Sequence, residues 1–380
     1  MRPLEGIRVI DFSTLLPGPL ATLLLAEAGA EVIKIERPGQ GDEMRRFGPR
    51  FGADGVTFAL LNRGKRSLAI DLKAPDAGAR LRPLIESADV LVEQFRPGVM
   101  ERLGLGYAAL AALNPRLIYC AITGYGQSGP KAGVAGPDLN YVADGGLLAL
   151  AAGSDGAPVV PAVQVADIAG GAYPAVINIL LALQRRAAGG GGCRLDVSMT
   201  DNLATFQLWG VGNGLAAGRW PRPAGDLLTG GSPRYRIYRT ADDRFVAVAA
   251  LEDRFWANLC DALELPAAAR DDARDPGATA AAVAAAIRRR SAAEWTRQLA
   301  GRDVCCCVVA TLEEAMADPH FRARGLFDHR LTAGGADIAA LPVPIDATFR
   351  ADTGSAGYPA LGEANDLLLA AGAATPAASR

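Results

Sequence analysis

Apolar and polar positions alternate along the first two hundred residues in blocks that switch between the period of a strand and that of a helix. Residues 7–11 predict a short strand, and Leu15-Leu16-Pro17-Gly18-Pro19 predicts a turn into a helix over 20–28 that Gly29 closes. Residues 31–36, Glu-Val-Ile-Lys-Ile-Glu, predict a second strand, so the first 36 residues read as a β-α-β unit. The alternation continues with strands at 67–71, 90–93 and 117–123, a helix at 76–87, and short helices at 98–103 and 107–113. A further strand falls at 194–199 and a helix at 200–209. Such alternation predicts a mostly parallel sheet covered on both faces. In sheets of that kind ligands bind beyond the carboxyl ends of the strands. Three loops fall there: Arg37-Pro38-Gly39, Gln94 to Gly98, and Gly124 to Pro130.

The pattern changes after the Gly- and Pro-rich stretch 210–231, which reads as a linker. Residues 235–238 and 244–250 predict a β-hairpin around Ala241-Asp242-Asp243. Helices follow at 255–263 and 279–290, Ser291-Ala-Ala-Glu294 predicts a capping box, and 305–309 a strand. The expected organisation is therefore α/β: a large Rossmann-like domain over 1–200, completed by 328–380, and a smaller α+β domain over 229–310. Segments 201–228 and 311–327 read as linkers, and 361–371 as a short returning helix.

Composition narrows the chemistry. The 380 residues suffice for about two domains. With 39 basic and 41 acidic residues the net charge is −2, which disfavours nucleic acid as a partner. No signal-like leader and no stretch of 18 uninterrupted apolar residues stands out, so a soluble cytoplasmic protein without membrane contact is expected. The run Cys305-Cys306-Cys307 cannot form a metal cage, because neighbouring strand residues point to opposite faces; buried strand filler is expected, and no metal site. The two histidines, His320 and His329, sit in no recognisable pattern. Neither G-x-G-x-x-G nor G-x-x-x-x-G-K-[ST] occurs, which demotes nicotinamide and nucleoside triphosphate chemistry.

Two features carry candidate chemistry. Arg37, Arg63, Lys65, Arg66 and Lys73 form the densest basic group, and positive charge at strand ends suits a phosphorylated ligand. Gln164-Val-Ala-Asp167-Ile-Ala-Gly-Gly171 places a carboxylate after the apolar run 159–165 and before an apolar helix at 172–183. At such a strand-to-helix junction Asp167 is either an ordinary N-cap or a carboxylate held ionised for attack or base work.

Several stretches resemble the class III CoA-transferase family of the CaiB/BaiF type, which includes α-methylacyl-CoA racemases and carnitine- and formyl-CoA transferases. They are Pro3-Leu-Glu-Gly-Ile-Arg-Val-Ile-Asp-Phe, Gly29-Ala-Glu-Val-Ile-Lys-Ile-Glu-Arg-Pro-Gly, Asn62-Arg-Gly-Lys-Arg-Ser, Gly124-Tyr-Gly-Gln-Ser-Gly-Pro and Asp167. The resemblance spans nearly the whole chain. It implies an interlocked homodimer and a CoA site lined by Arg37, Lys73, Phe95, Arg102, Leu15, Ile70 and Gln94. CoA and its acyl esters would be substrates, with no permanently bound cofactor and a small carboxylic acid as second substrate. Asp167 matches the carboxylate that attacks the thioester in the transferases. Gly170, Gly171, Gly145 or Gly146 could then supply N–H groups to the oxyanion. Asp138 and Glu252 would be polar groups near the acyl end, and Glu252 matches a glutamate of the racemases. Pro137 stands where the racemases carry a histidine base, and Leu16 where formyl-CoA transferase has a glutamine. The expected activity is acyl-CoA:carboxylate CoA transfer through an aspartyl-CoA thioester. The alternatives are α-proton chemistry of the racemase kind and CoA-ester binding with weak or lost activity.

Overall fold

The computed structural model describes residues 2–153, 155–350 and 354–368. The chain divides into two compact units. The first comprises Met1–Gly145, Ala162–Phe206 and the chain from Pro319 onward; the second comprises Gly146–Pro161 and Gln207–Asp318.

The first unit is built on six strands: β1 Arg8–Asp11, β2 Glu31–Glu36, β3 Arg66–Ala69, β4 Val90–Glu93, β5 Ile118–Thr123 and β6 Cys193–Ser198. They pair in the order β3-β2-β1-β4-β5-β6, every pair parallel. This is the Rossmann strand order, in which the winding reverses between β1 and β4 and opens a crevice at their carboxyl ends. Helices α1 Pro17–Glu27 and α7 Tyr173–Ala187 cover one face. On the other, Ile10, Ile33, Leu68, Leu91 and Tyr119 pack with Leu81, Leu84 and Ile85 of α3 Ala77–Glu86 and Leu110 of α5 Tyr107–Leu113. Coverage on both faces explains why β4 and β5 read as nearly continuous apolar runs. Helix α1 starts at Pro17, three residues earlier than the periodicity predicts, because proline suits the first helical position.

The C-terminal segment returns to this unit. The N–H of Ala364 donates to the Ser67 carbonyl and that of Gly362 to Ser67 Oγ, while the Asn365 carboxamide accepts from the N–H of Ala69. Residues 366–368 are helical, and the rest of the helix expected over 361–371 lies outside the described residues.

The second unit contains the antiparallel sheet β9-β8-β7, formed by β7 Tyr235–Arg239, β8 Phe245–Ala249 and β9 Cys306–Val308. Tyr238, Val246 and Val248 face a core with Trp256 of α10 Asp253–Ala262, Ile287 of α11 Pro276–Ile287 and Trp295 of α12 Ala292–Leu299. The capping box at Ser291 and Glu294 forms as its sequence predicts.

Three local expectations are corrected. Residues 159–165 form no strand; Val159, Val160 and Val163 are exposed. The glycine-rich stretch after 207 carries helix Leu208–Ala217, in which Gly214 admits the Trp220 ring where a Cβ would lie 2.4 Å from it. Cys305 and Cys307 are exposed and only Cys306 turns inward, because Cys305 takes a left-handed conformation just before β9. The helical stretch Ala166–Ala187, 22 residues long, is apolar enough by length and composition to cross a membrane. In the first unit, however, its Ala172, Ala175, Ile179 and Ala182 are buried as in a core helix.

Candidate active site

The crevice between β1 and β4 is walled by two turns that are fastened together. After β1, the backbone runs through Leu15 at φ 61°, a left-handed conformation that costs a side-chain-bearing residue about 1–2 kcal/mol. Buried Asp42 holds it there, accepting the N–H of Leu15 at 3.2 Å and that of Met44 at 3.0 Å. Lys34, itself fully buried, pairs with Asp42 at 3.0 Å and donates to the Ser13 carbonyl at 2.7 Å. From the β4 side, Gln94 Nε2 donates to the Thr14 carbonyl at 2.6 Å, and its Oε1 accepts the N–H of Gly18 at 3.1 Å. Gly18 is required for this approach, since a Cβ there would lie 2.1 Å from that of Ser13.

The same edge carries the positively charged candidates. Arg37 follows β2, Lys73 follows β3 beyond Ile70, and Phe95 follows β4; Arg102 lies on α4 Val99–Arg102. Arg37, Lys73 and Arg102 are exposed and form no ion pair among the described residues. The rest of the expected basic cluster is differently employed. Arg63 is buried and spent on Glu27 and on the carbonyls of Leu60 and Leu341. Lys65 Nζ is buried among Asp11, Thr22, Asn62 and the Pro19 carbonyl, and burial pulls it down to about 7 despite the pull of Asp11. Arg66 pairs with Glu31. These three therefore organise the sheet and α1 instead of facing a ligand.

Asp167 occupies a wide π-helical turn, Ala166–Ala172, that leads into α7. Turns of this kind widen a helix by one residue and recur at functional sites. The N–H of Asp167 donates at 2.9 Å to Oδ1 of Asp138, the first residue of α6 Asp138–Asp144. Burial, and then the Asp138 carboxylate, push the Asp167 carboxyl up to about 7. The expectation that a helix start would hold it ionised is thus corrected in direction: desolvation and a like charge both raise it. Tyr141 lies in the field of both carboxylates, and burial followed by Asp167 raises its phenol.

Gly145 spends its N–H on the Tyr141 carbonyl. Gly170 and Gly171 are buried for close packing: a Cβ on Gly170 would lie 2.4 Å from the Met199 carbonyl oxygen, and one on Gly171 3.2 Å from Pro17. Gly146 and Glu252 belong to the second unit, where Glu252 is exposed at the start of α10 and caps nothing with its side chain. Asp138 and Asp167 are therefore brought together within one unit. Two residues that the sequence did not single out, Asp42 and Glu93, anchor the crevice turns. Their only sequence signal was an acid beside a glycine-rich turn and an acid ending an apolar run.

Residues 4–365 match the family model described as CoA-transferase family III. The chain belongs to this family. Among curated members of CoA-transferase family III, the human alpha-methylacyl-CoA racemase is 38% identical over 351 residues, covering 90% of this chain and 86% of that protein. The succinate–glutarate CoA-transferase of Agrobacterium fabrum is 35% identical over 362 residues, with 90% and 89% covered. A solved CAIB/BAIF family protein from Brucella suis superposes with a TM-score of 0.81 at 29% identity, covering 97% of this chain and 99% of that one. Family III membership therefore embraces relatives named for two reactions, acyl-CoA transfer and racemisation.

Proposed function

We propose that this protein is an acyl-CoA:carboxylate CoA-transferase with Asp167 as the nucleophile. The observation that carries the reading is the Asp138–Asp167 pair: a partly buried carboxyl, poised near neutrality by burial and then by its neighbour, on a π-turn of the same unit as the switch-point crevice. The crevice would take the CoA ester, with Arg37, Lys73 and Arg102 toward its phosphates and Leu15, Ile70, Gln94 and Phe95 lining it.

In this reading an oxygen of ionised Asp167 attacks the thioester carbonyl carbon. The carbon–sulfur bond breaks, giving a mixed acyl-aspartyl anhydride and CoA thiolate. The thiolate attacks the Asp167 carbonyl carbon and expels the donor acid, which leaves an aspartyl-CoA thioester. An acceptor carboxylate then attacks that thioester, and the thiolate, returning to the acceptor's acyl carbon, regenerates Asp167. Each covalent step replaces part of an exchange that is slow in one step. Burial, helped by Asp138, keeps the attacking carboxyl close to its point of ionisation at neutral pH, where the nucleophile is available yet is not over-stabilised.

The second reading, proton removal next to the thioester carbonyl, is favoured by the same value near 7, which suits a general base, and by the identity to a relative named as a racemase. Against it stands Pro137, which has no group to return a proton. Incubating the protein with 2-methylacyl-CoA in heavy water separates the two. The transferase reading expects CoA exchange only when a carboxylic acid is present, and fast α-deuterium uptake without any acceptor acid would reverse the order.

The reading includes an interlocked homodimer, supported by the apolar outer face of α7. Tyr173, Ile177, Leu180 and Leu181 are exposed there, an unusual display for a lone chain.

A further inference from the structure

The root of the β4 turn is a buried acid that the mechanism above does not use. Glu93 ends β4 with 3% of its surface exposed, and Oε2 accepts the N–H of Phe95 at 2.7 Å. Phe95 follows Gln94, the residue that fastens the β4 turn to Thr14 and Gly18 of the β1 turn. One carboxyl therefore anchors the joint from which both walls of the crevice are hung.

We infer that Glu93 is a positioning residue for CoA esters, fixing the Gln94–Phe95 turn in the conformation that receives them. The inference rests on the reading of the β1–β4 crevice as the CoA site. Glu93 has no ion-pair partner among the described residues, so its burial is costly, and the Phe95 N–H and a hydrogen bond with the Tyr119 side chain are what offset it. The groups that act on it are Tyr119 and Cys120 of β5, Glu101 of α4 and Arg194 of β6. Burial and Glu101 outweigh the Phe95 N–H, Arg194 and the Tyr119 hydrogen bond, and the carboxyl is pushed up to about 7. Above that pH the anion accepts the Phe95 N–H as a charge-assisted bond; below it the neutral acid accepts more weakly. Affinity for CoA should fall accordingly as the pH drops.

The test is calorimetric titration of CoA into the full-length protein at pH 6 and pH 8. It is done in an Asp167→Asn background so that Asp167 does not titrate. The chain with Glu93 is expected to lose about fivefold more affinity between pH 8 and pH 6 than its Glu93→Gln counterpart, in which the carboxamide still accepts from Phe95 but cannot ionise. Protonation of CoA's own phosphates affects both alike and cancels. Equal pH dependence in the two chains would overturn the role of Glu93 while leaving the CoA site intact. Failure of the chain with Glu93 to bind CoA at either pH would overturn the site reading and this role with it.

Discussion

Asp167→Asn should make the protein more stable at alkaline pH while abolishing CoA exchange. Holding the carboxyl at about 7 instead of 3.8 disfavours the ionised folded chain by at most about 4 kcal/mol, at about 1.4 kcal/mol per pH unit. The side chain retains partial contact with solvent, and screening reduces this to about 2 kcal/mol. The sign follows from the raised value. Below about 4 the carboxyl is protonated whether the chain is folded or unfolded, and it contributes nothing. Between about 4 and 7 the unfolded chain releases the proton and the folded chain keeps it, so stability is lost as pH rises; above 7 the loss is complete. Asparagine does not titrate. Thermal melts of both chains at pH 4.5 and pH 8 should show the melting-temperature advantage of the variant growing by about 3–6 °C at the higher pH. Glu93 titrates in the same range but is present in both chains, so the comparison removes it. An advantage that is independent of pH, or a wild type that gains on the variant at pH 8, would refute the placement of Asp167 as a desolvated carboxyl beside a like charge.

Two other outcomes follow from the same geometry. Asp138→Asn keeps an acceptor for the Asp167 N–H but removes the neighbouring charge, so the acid limb of the pH profile of kcat/KM should move down by about one pH unit; an unmoved limb would show that Asp138 does not tune Asp167. Replacing exposed Ile177 and Leu181 of α7 with Asp should leave the sheet core intact and shift sedimentation from a dimer to a monomer, whereas an unchanged sedimentation coefficient would remove α7 from any subunit contact.

Much of the architecture was legible because a sheet covered on both faces imposes long apolar runs, and helix ends impose Pro, Gly and capping residues. The β1, β2, β4 and β5 runs, the start of α12 and the hairpin of the second unit are of this kind. Charge was the least legible property. Lys65 and Arg63 read as phosphate ligands because their partners are remote: Asp11 lies 54 residues from Lys65, and the Leu341 carbonyl 278 residues from Arg63. A pairing across that distance leaves no trace in local spacing. Val159, Val160 and Val163 read as a strand because an apolar run carries the same pattern whether it is buried or exposed. That Asp167 stands at the entry to a helix was legible, but its electrostatics were not. The π-turn and the bond from its N–H to Asp138, 29 residues away, are set by tertiary packing, and they reverse the expected direction of the shift. At glycines 170 and 171 the sequence could not show that the bodies of Met199 and Pro17 leave no room for a side chain.

The most direct measurement of the central claim is peptide mass spectrometry after the protein is mixed with succinyl-CoA, chosen as a dicarboxylic acyl donor, and quenched with hydroxylamine. A covalent route through Asp167 predicts a hydroxamate on the peptide that contains Asp167, absent from Asp167→Asn and dependent on the acyl-CoA. Efficient CoA exchange with an unmodified Asp167 peptide, or exchange that survives Asp167→Asn, would contradict it.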